Sequence, residues 1–289
     1  MLPLVRELKH LTQAFKEDAY ATQEARVRIL NLCGTALWQR GYRIHADGLK
    51  GRHVQYLVEQ WQAAGASVAT LKNRLSVLRW WATKVGNPGA VKPSNDAYGI
   101  GQRQTVARQS KAVLLPTDQL ARVRNEHVKR SLLLQRAFGL RREESLKIQP
   151  WKADQGAYLV LKGSWTKGGR PRSIPIVTPE QRALLNEVKA FVRFESASLI
   201  PRTKTYVQQL HSYESQCARA GLHKMHGLRH AYAQARFADL AGFPCPAAGG
   251  PARTVLSAVQ REIDYEVRVI ISAELGHGRE AVTATYLGR

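Results

Sequence analysis

Four short segments hold residue types that, brought together, could bind and cleave a phosphodiester. The first is Phe138-Gly-Leu-Arg141-Arg-Glu-Glu144. A guanidinium at a helix start, where backbone N–H groups also point outward, makes a good phosphate clamp. In isolation this segment reads more readily as a surface Arg141 paired with Glu143 or Glu144. The second is Lys167 in Thr166-Lys-Gly-Gly-Arg-Pro171. A hairpin tip there could carry an ammonium into a DNA groove and let it serve as an acid. Exposed lysines at turns are common, however, and the G-x-x-x-x-G-K spacing of a phosphate-binding loop is absent.

The third segment is His226-Gly-Leu-Arg229-His230. On a helix these three residues fall three and four apart and share a face, which suits binding and protonating a phosphate. Two His at i and i+4 also have metal-ligand spacing. Against a zinc site stand the lack of an intervening Glu and the cation in the middle. The fourth segment is Leu275-Gly-His277, with Tyr286 nine residues further on. A tyrosine near a chain end is usually a surface aromatic. As a nucleophile it needs help, because a free phenol ionises only near pH 10. Neighbouring cations must stabilise the phenolate, or a base must take the proton.

Helices and one small sheet must position these groups. Before residue 90 the apolar spacing is helical: Val27, Leu30 and Leu37 within 23–40, and Val54, Leu57 and Trp61 within 50–63. Residues 67–85 give the cleanest pattern, Val68, Leu71, Leu75, Leu78, Trp81 and Val85, with Ser67 as N-cap. Gly, Pro and scattered cations then suggest a linker over 91–112. Beyond it, helices are expected near 118–126, through Leu132–Phe138, and over 179–194, 204–220, 226–240 and 254–275. Short strands are expected at 158–161 and 173–176, flanking the Lys167 turn. The fold class is therefore mainly α with a small antiparallel β-sheet (α+β), divided into a helical domain (1–90), the linker and a second domain (113–289).

Composition bounds the partner. The 289 residues suffice for one large domain or two modest ones, and 44% apolar content is ordinary. The 44 Lys and Arg against 22 Asp and Glu give a net charge of +22, spread over both parts of the chain. Such an imbalance points to a polyanion, although a generally basic surface without a dedicated site would look the same. Lys72, Arg74 and Arg79 lie largely off the apolar stripe of 67–85 and, with Arg170 and Arg172 of the hairpin, are the candidate DNA contacts. Cys33, Cys217 and Cys245 suggest neither a disulfide framework nor a Cys-rich metal site, which fits a reducing compartment. No apolar run has the length of a membrane span, and Met1-Leu-Pro-Leu followed by Arg6 is not expected to be a signal peptide. A cytoplasmic, nucleoid-associated protein is expected.

Taken in order, the four segments resemble the tyrosine recombinase (phage integrase) family. Arg141 and Glu144 match its Arg-x-x-Glu box, Lys167 its hairpin lysine, and His226 and Arg229 its His-x-x-Arg box with His230 beside it. His277 matches the Leu-Gly-His box, and Tyr286 follows at the family's usual distance. The resemblance covers the second domain, and the helical first domain is similar in position and character to the family's core-binding domain. It implies that Tyr286 attacks a DNA phosphate to give a 3′-phosphotyrosyl link. Arg141 and Arg229 would stabilise the charge that develops, and Lys167 would protonate the leaving 5′ oxygen. His226 would move the proton at Tyr286, His277 would contact the phosphate, and Glu144 and His230 would orient these groups. It implies no cofactor and no metal, a double-stranded DNA partner bearing a recombination site, and a homotetramer on that DNA.

The spacing departs from the family at one place. Arg229 and His277 stand 48 residues apart, and the excess falls in an insertion over 243–265 of unassigned role. The few residues after Tyr286 give no basis for carrying over a tail-mediated mode of assembly. Competing functions are a type IB topoisomerase with the same chemistry, a DNA-binding relative that has lost catalysis, and a zinc hydrolase built on His226 and His230.

Overall fold

Apolar spacing and end chemistry account for the helices of the first hundred residues. The computed structural model describes Leu2–Arg289; Met1, the first residue of the opening segment, lies outside the described residues. Helices α1 (Pro3–Ala14), α2 (Tyr20–Gln39), α3 (Gly51–Ala63) and α4 (Val68–Lys84) bury Leu8, Leu30, Leu37, Val54, Leu57, Leu75, Leu78 and Trp81 in one core. At the start of α4 the Ser67 hydroxyl accepts the Thr70 N–H at 3.2 Å, satisfying one of the donors that a first turn leaves free. Trp81 is wholly buried, and its indole N–H donates to the Ala46 carbonyl at 2.7 Å.

The chain divides into two units, Met1–Gln104 and Thr105–Arg289. The stretch 91–112, expected as a linker, is shared between them. Val91, Tyr98 and Ile100 are buried in the core of the first unit. The Tyr98 hydroxyl accepts the Lys92 N–H at 2.9 Å, and its carbonyl accepts Gln62 Nε2 at 3.0 Å. Three irregularly spaced apolar residues thus anchor a segment whose Gly and Pro content resembles that of a free connection.

The second unit opens with α5 (Thr117–Ala121) and α6 (Glu126–Phe138). The helix expected over 118–126 stops at Ala121, and the Asn125 side chain caps α6 by accepting the Val128 N–H at 3.1 Å. After α7 (Arg142–Lys147) and α8 (Pro150–Ala153), three antiparallel strands follow: β1 (Asp154–Gln155), β2 (Tyr158–Leu161) and β3 (Arg172–Pro175). Leu159 faces Ile174 across the ladder, and Leu161 faces Arg172. Alternation along β3 buries Arg172 and Ile174 and exposes Ser173. The remaining helices are α9 (Pro179–Val192), α10 (Tyr206–Arg219), α11 (Gly227–Ala241), α12 (Ala258–Glu274) and α13 (Ala284–Leu287). The architecture is mainly α with one small antiparallel sheet, as expected, although β1 was not foreseen.

The insertion is packed rather than loose. Cys245 and Ala247 are buried in the main core of this unit beside Phe237 and Leu287. The helix expected from 254 begins at Ala258, because Ser257 and Gln260 close a reciprocal cap with bonds of 3.2 and 3.0 Å. Among the described residues no helix is long and apolar enough to cross a membrane. Removing the α4 cap with Ser67→Ala is expected to cost about 1 kcal/mol of stability, read as a shift in the denaturant midpoint.

Candidate active site

The start of α7 sets the first two residues of the site. Glu144, in the first turn, folds back so that Oε2 accepts the Arg141 N–H at 2.6 Å while Oε1 accepts the Arg141 guanidinium at 2.8 Å. Arg141 is thereby held by its own helix yet keeps 23% of its side chain exposed. Arg142 turns to the rim and pairs with Glu214 at 2.9 Å.

Arg172 completes the grip on Glu144. Its two terminal nitrogens reach the two carboxylate oxygens at 2.8 and 2.6 Å, and its Nε donates to the Glu274 carbonyl at 2.8 Å. This corrects the expectation that Arg172 faces DNA. Period-two alternation puts it on the same side as Ile174, where it is 8% exposed. Gly276, with φ +66°, follows the end of α12, and a Cβ there would lie 2.9 Å from Arg172 Cδ. The glycine of Leu-Gly-His therefore makes room for this arginine. Burial alone would raise the Glu144 pKa, but the Arg172 hydrogen bonds and the charges of Arg172, Arg141 and Arg229 outweigh it and hold it at about 2.

Arg229, on α11, is 1% exposed. It donates to the Gly139 carbonyl at 2.6 Å and to the Leu275 carbonyl, and its Nε lies 3.4 Å from the Tyr286 hydroxyl. Burial, then Arg141, pushes its pKa down to about 10, which leaves it charged at neutral pH. The Tyr286 hydroxyl also lies 3.3 Å from His226 Nε2. Around the Tyr286 ring, His277 stacks at 5.3 Å between centroids and His230 lies at 4.5 Å. All three imidazoles favour the neutral form. Partial burial and then Arg229 and Arg141 lower the pKa of His226. Burial and then His226 take His230 to about 4, and burial and then Arg229 take His277 to about 3.

Arg141, Glu144, Arg229, His226, His230, His277 and Tyr286 thus come together. Lys167, exposed on the β2–β3 hairpin, lines a cavity of about 580 Å³ with Arg141 and His226. Arg170 is exposed, with its guanidinium against Gly278. Lys72, Arg74 and Arg79 belong to the other unit, where Arg74 lies 5.0 Å over the Trp61 ring. Arg79 donates there to the Lys92 carbonyl and to Asn95. The His226–His230 pair has metal-ligand spacing, but among the described residues no group of three His, Cys, Asp or Glu could hold a metal ion.

Two buried residues were not anticipated. Glu274 receives the Tyr232 hydroxyl at 2.7 Å and Arg236 Nε at 3.1 Å, besides offering its carbonyl to Arg172. Gln234 donates to the Tyr286 carbonyl at 3.0 Å. Neither stands in a recognisable motif; Gln234 is signalled only by its position on the helical face shared with His230.

The histidine shifts imply a pH-dependent stability. Their folded pKa values lie below the ordinary 6.5, so the unfolded chain binds more protons below that pH, and stability falls as pH drops from 6.5 toward 4. Glu144 contributes only below its ordinary 4.5. Thermal midpoints measured between pH 7.5 and 5 should therefore decline, and more shallowly in His230→Asn and His277→Asn. An equal slope in both variants would remove these two residues as its source.

Comparison with known proteins gives two family matches. A model described as phage integrase, N-terminal, matches residues 1–90, and one described as integrase matches residues 100–235. A comparison with curated proteins finds no match by sequence. The fold is similar to that of a lambda integrase tetramer bound to a Holliday junction, with TM-score 0.59 and 14% identity over 98% of this chain and 76% of the other. It is also similar to the Tn1549 transposon integrase in complex with circular intermediate DNA, with TM-score 0.57 and 13% identity over 100% of this chain and 96% of the other. At these identities the structures speak for the fold alone, while the two family matches span most of the chain. The second of them contains Arg141, Glu144, Lys167, His226 and Arg229, and the chain belongs to the tyrosine recombinase (phage integrase) family.

Proposed function

We propose that this protein cuts and rejoins duplex DNA at a specific site through a covalent 3′-phosphotyrosyl intermediate at Tyr286. The observation that carries this reading is the Tyr286 hydroxyl, 3.4 Å from Arg229 Nε and 3.3 Å from His226 Nε2, in a site where Glu144 fixes Arg141. The Tyr286 oxygen attacks phosphorus as its proton passes to His226, whose lowered pKa keeps it a neutral acceptor. The bond to the 5′ oxygen breaks, and Lys167 supplies the proton that this oxygen gains. Arg141 and Arg229 stabilise the charge gathering on the non-bridging oxygens, and His277 donates to one of them. Rejoining runs the same steps backward, with a 5′-hydroxyl of another strand as attacker. The phosphodiester energy is stored in the tyrosyl link, so the exchange draws on no nucleotide hydrolysis.

Exchange of four strands requires four such sites, and the lambda relative was solved as a tetramer on a Holliday junction. The reading therefore includes a homotetramer on double-stranded DNA.

Covalent trapping tests the chemistry. Mixed with a random-sequence library of nicked duplexes, the wild-type protein is expected to give an adduct on a denaturing gel that is absent with Tyr286→Phe. An adduct that persists in the variant would refute the assignment. Arg141→Lys and Arg229→Lys are each expected to slow adduct formation by about 10²–10³, since an ammonium cannot reproduce the guanidinium fork. Because the His226 pKa is lowered, cleavage should persist below pH 6.5 and fail only in more acid solution. Relaxation of supercoiled DNA by isolated monomers would instead favour a type IB topoisomerase.

A further inference from the structure

Tyr286 is held through its backbone as well as through its hydroxyl. Its carbonyl accepts Gln234 Nε2 at 3.0 Å, and Gln234 Oε1 accepts the Ser110 hydroxyl at 2.8 Å. Ser110 belongs to a segment bonded on both sides of this relay. The Ala107 N–H donates to the Ala284 carbonyl at 3.0 Å, and the Val113 N–H donates to the Gly227 carbonyl at 3.1 Å. The segment thus runs along α13, which carries Tyr286, and reaches the start of α11, which carries Arg229. It also meets the end of α13, since a Cβ on Gly288 would lie 3.0 Å from the Ala107 carbonyl oxygen.

These contacts matter because α13 has only four residues. A helix of that length has no stability of its own in water, so outside contacts must set its position. Beyond this segment, Arg268 donates to the Gly288 carbonyl at 2.8 Å, which holds the far end of α13. Gln234 is 8% exposed and uses its amide in both directions, donating with nitrogen and accepting with oxygen. Among the described residues its amide hydrogen-bonds only to Ser110 and to the Tyr286 carbonyl, so its effect on the chemistry passes through Tyr286.

We propose that Ser110 and Gln234 are positioning residues for Tyr286, and that Thr105–Val113 is a strap that fixes the nucleophile beside Arg229 and His226. The proposal rests on Tyr286 being the nucleophile. A carboxylate at position 234 keeps the shape of the amide but cannot donate to the Tyr286 carbonyl, which makes Gln234→Glu the informative variant. Ser110 is exposed, so Ser110→Ala tests the relay without opening the core, and Ser110→Thr restores the hydroxyl.

Two measurements on the full-length protein separate the proposal from the reading beneath it. In amide hydrogen exchange, residues 280–289 should exchange about tenfold faster in Gln234→Glu and about threefold faster in Ser110→Ala, with Ser110→Thr at the wild-type rate. Unchanged exchange in both Gln234→Glu and Ser110→Ala overturns the strap, whatever Tyr286 does. In single-turnover trapping on nicked duplex, Gln234→Glu should form adduct about ten- to a hundredfold more slowly at unchanged DNA affinity. A wild-type rate there overturns the positioning role. An adduct that survives Tyr286→Phe overturns the nucleophile reading and leaves the exchange result standing.

Discussion

Glu144 has no exposure to water and touches the guanidiniums of Arg141 and Arg172, with that of Arg229 4.0 Å away. Taking a carboxylate out of water costs several kcal/mol unless cations and hydrogen bonds replace the lost solvent. The three arginines come from three places: the start of α7, strand β3 and helix α11. One buried anion therefore fixes the relative placement of elements far apart in the chain, and the geometry offered to a phosphate follows from it. Arg172, the arginine most deeply committed to this pairing, also reaches the carbonyl of Glu274 and packs on Gly276. The turn that presents His277 is consequently tied to the same anion.

Much of this was legible before any coordinates. The stripe and cap of 67–85 reappear as α4; Arg141, Glu144, Lys167 and His226 line one cavity, and Tyr286 lies against His226, Arg229 and His277. Spacing was informative there because each residue sits near a helix end or a hairpin tip, where local rules fix direction. Arg172 was misjudged because a cation beside a Gly-Gly turn looks solvated. Its alternation with Ile174 carried the opposite message, and in a four-residue strand that message is faint. The extent of the linker was misjudged for a related reason: Val91, Tyr98 and Ile100 follow no period, so their burial depends on tertiary contacts alone. Glu274 was not legible at all, and Gln234 only as a position on the helical face of His230, since a buried amide or carboxylate shows in sequence only when its partners do.

The insertion before α12 illustrates how an irregular segment acquires a defined place. Cys245 and Ala247 fill the core next to Phe237 and Leu287, and Arg268, paired to Asp264 through two 2.9 Å bonds, holds the Gly288 carbonyl. Part of the extra length between Arg229 and His277 thus packs against the end of α13, where a Cβ on Gly288 would lie 2.9 Å from the Ala247 nitrogen.

The buried ion cluster has a further consequence when its charges are counted. Arg141, Arg172 and Arg229 set three positive charges against the single negative charge of Glu144, and the surrounding imidazoles add none while they stay neutral. The cluster therefore carries two uncompensated positive charges. A phosphodiester brings one negative charge and would leave an excess. The pentacoordinate phosphorus carries two, and with the tyrosine proton held on His226 the total is unchanged, while the added negative charge gathers on oxygens that the guanidiniums face. The cluster thus stays cationic throughout the displacement, and its pull is greatest at the midpoint, where two negative charges lie on the phosphorus oxygens.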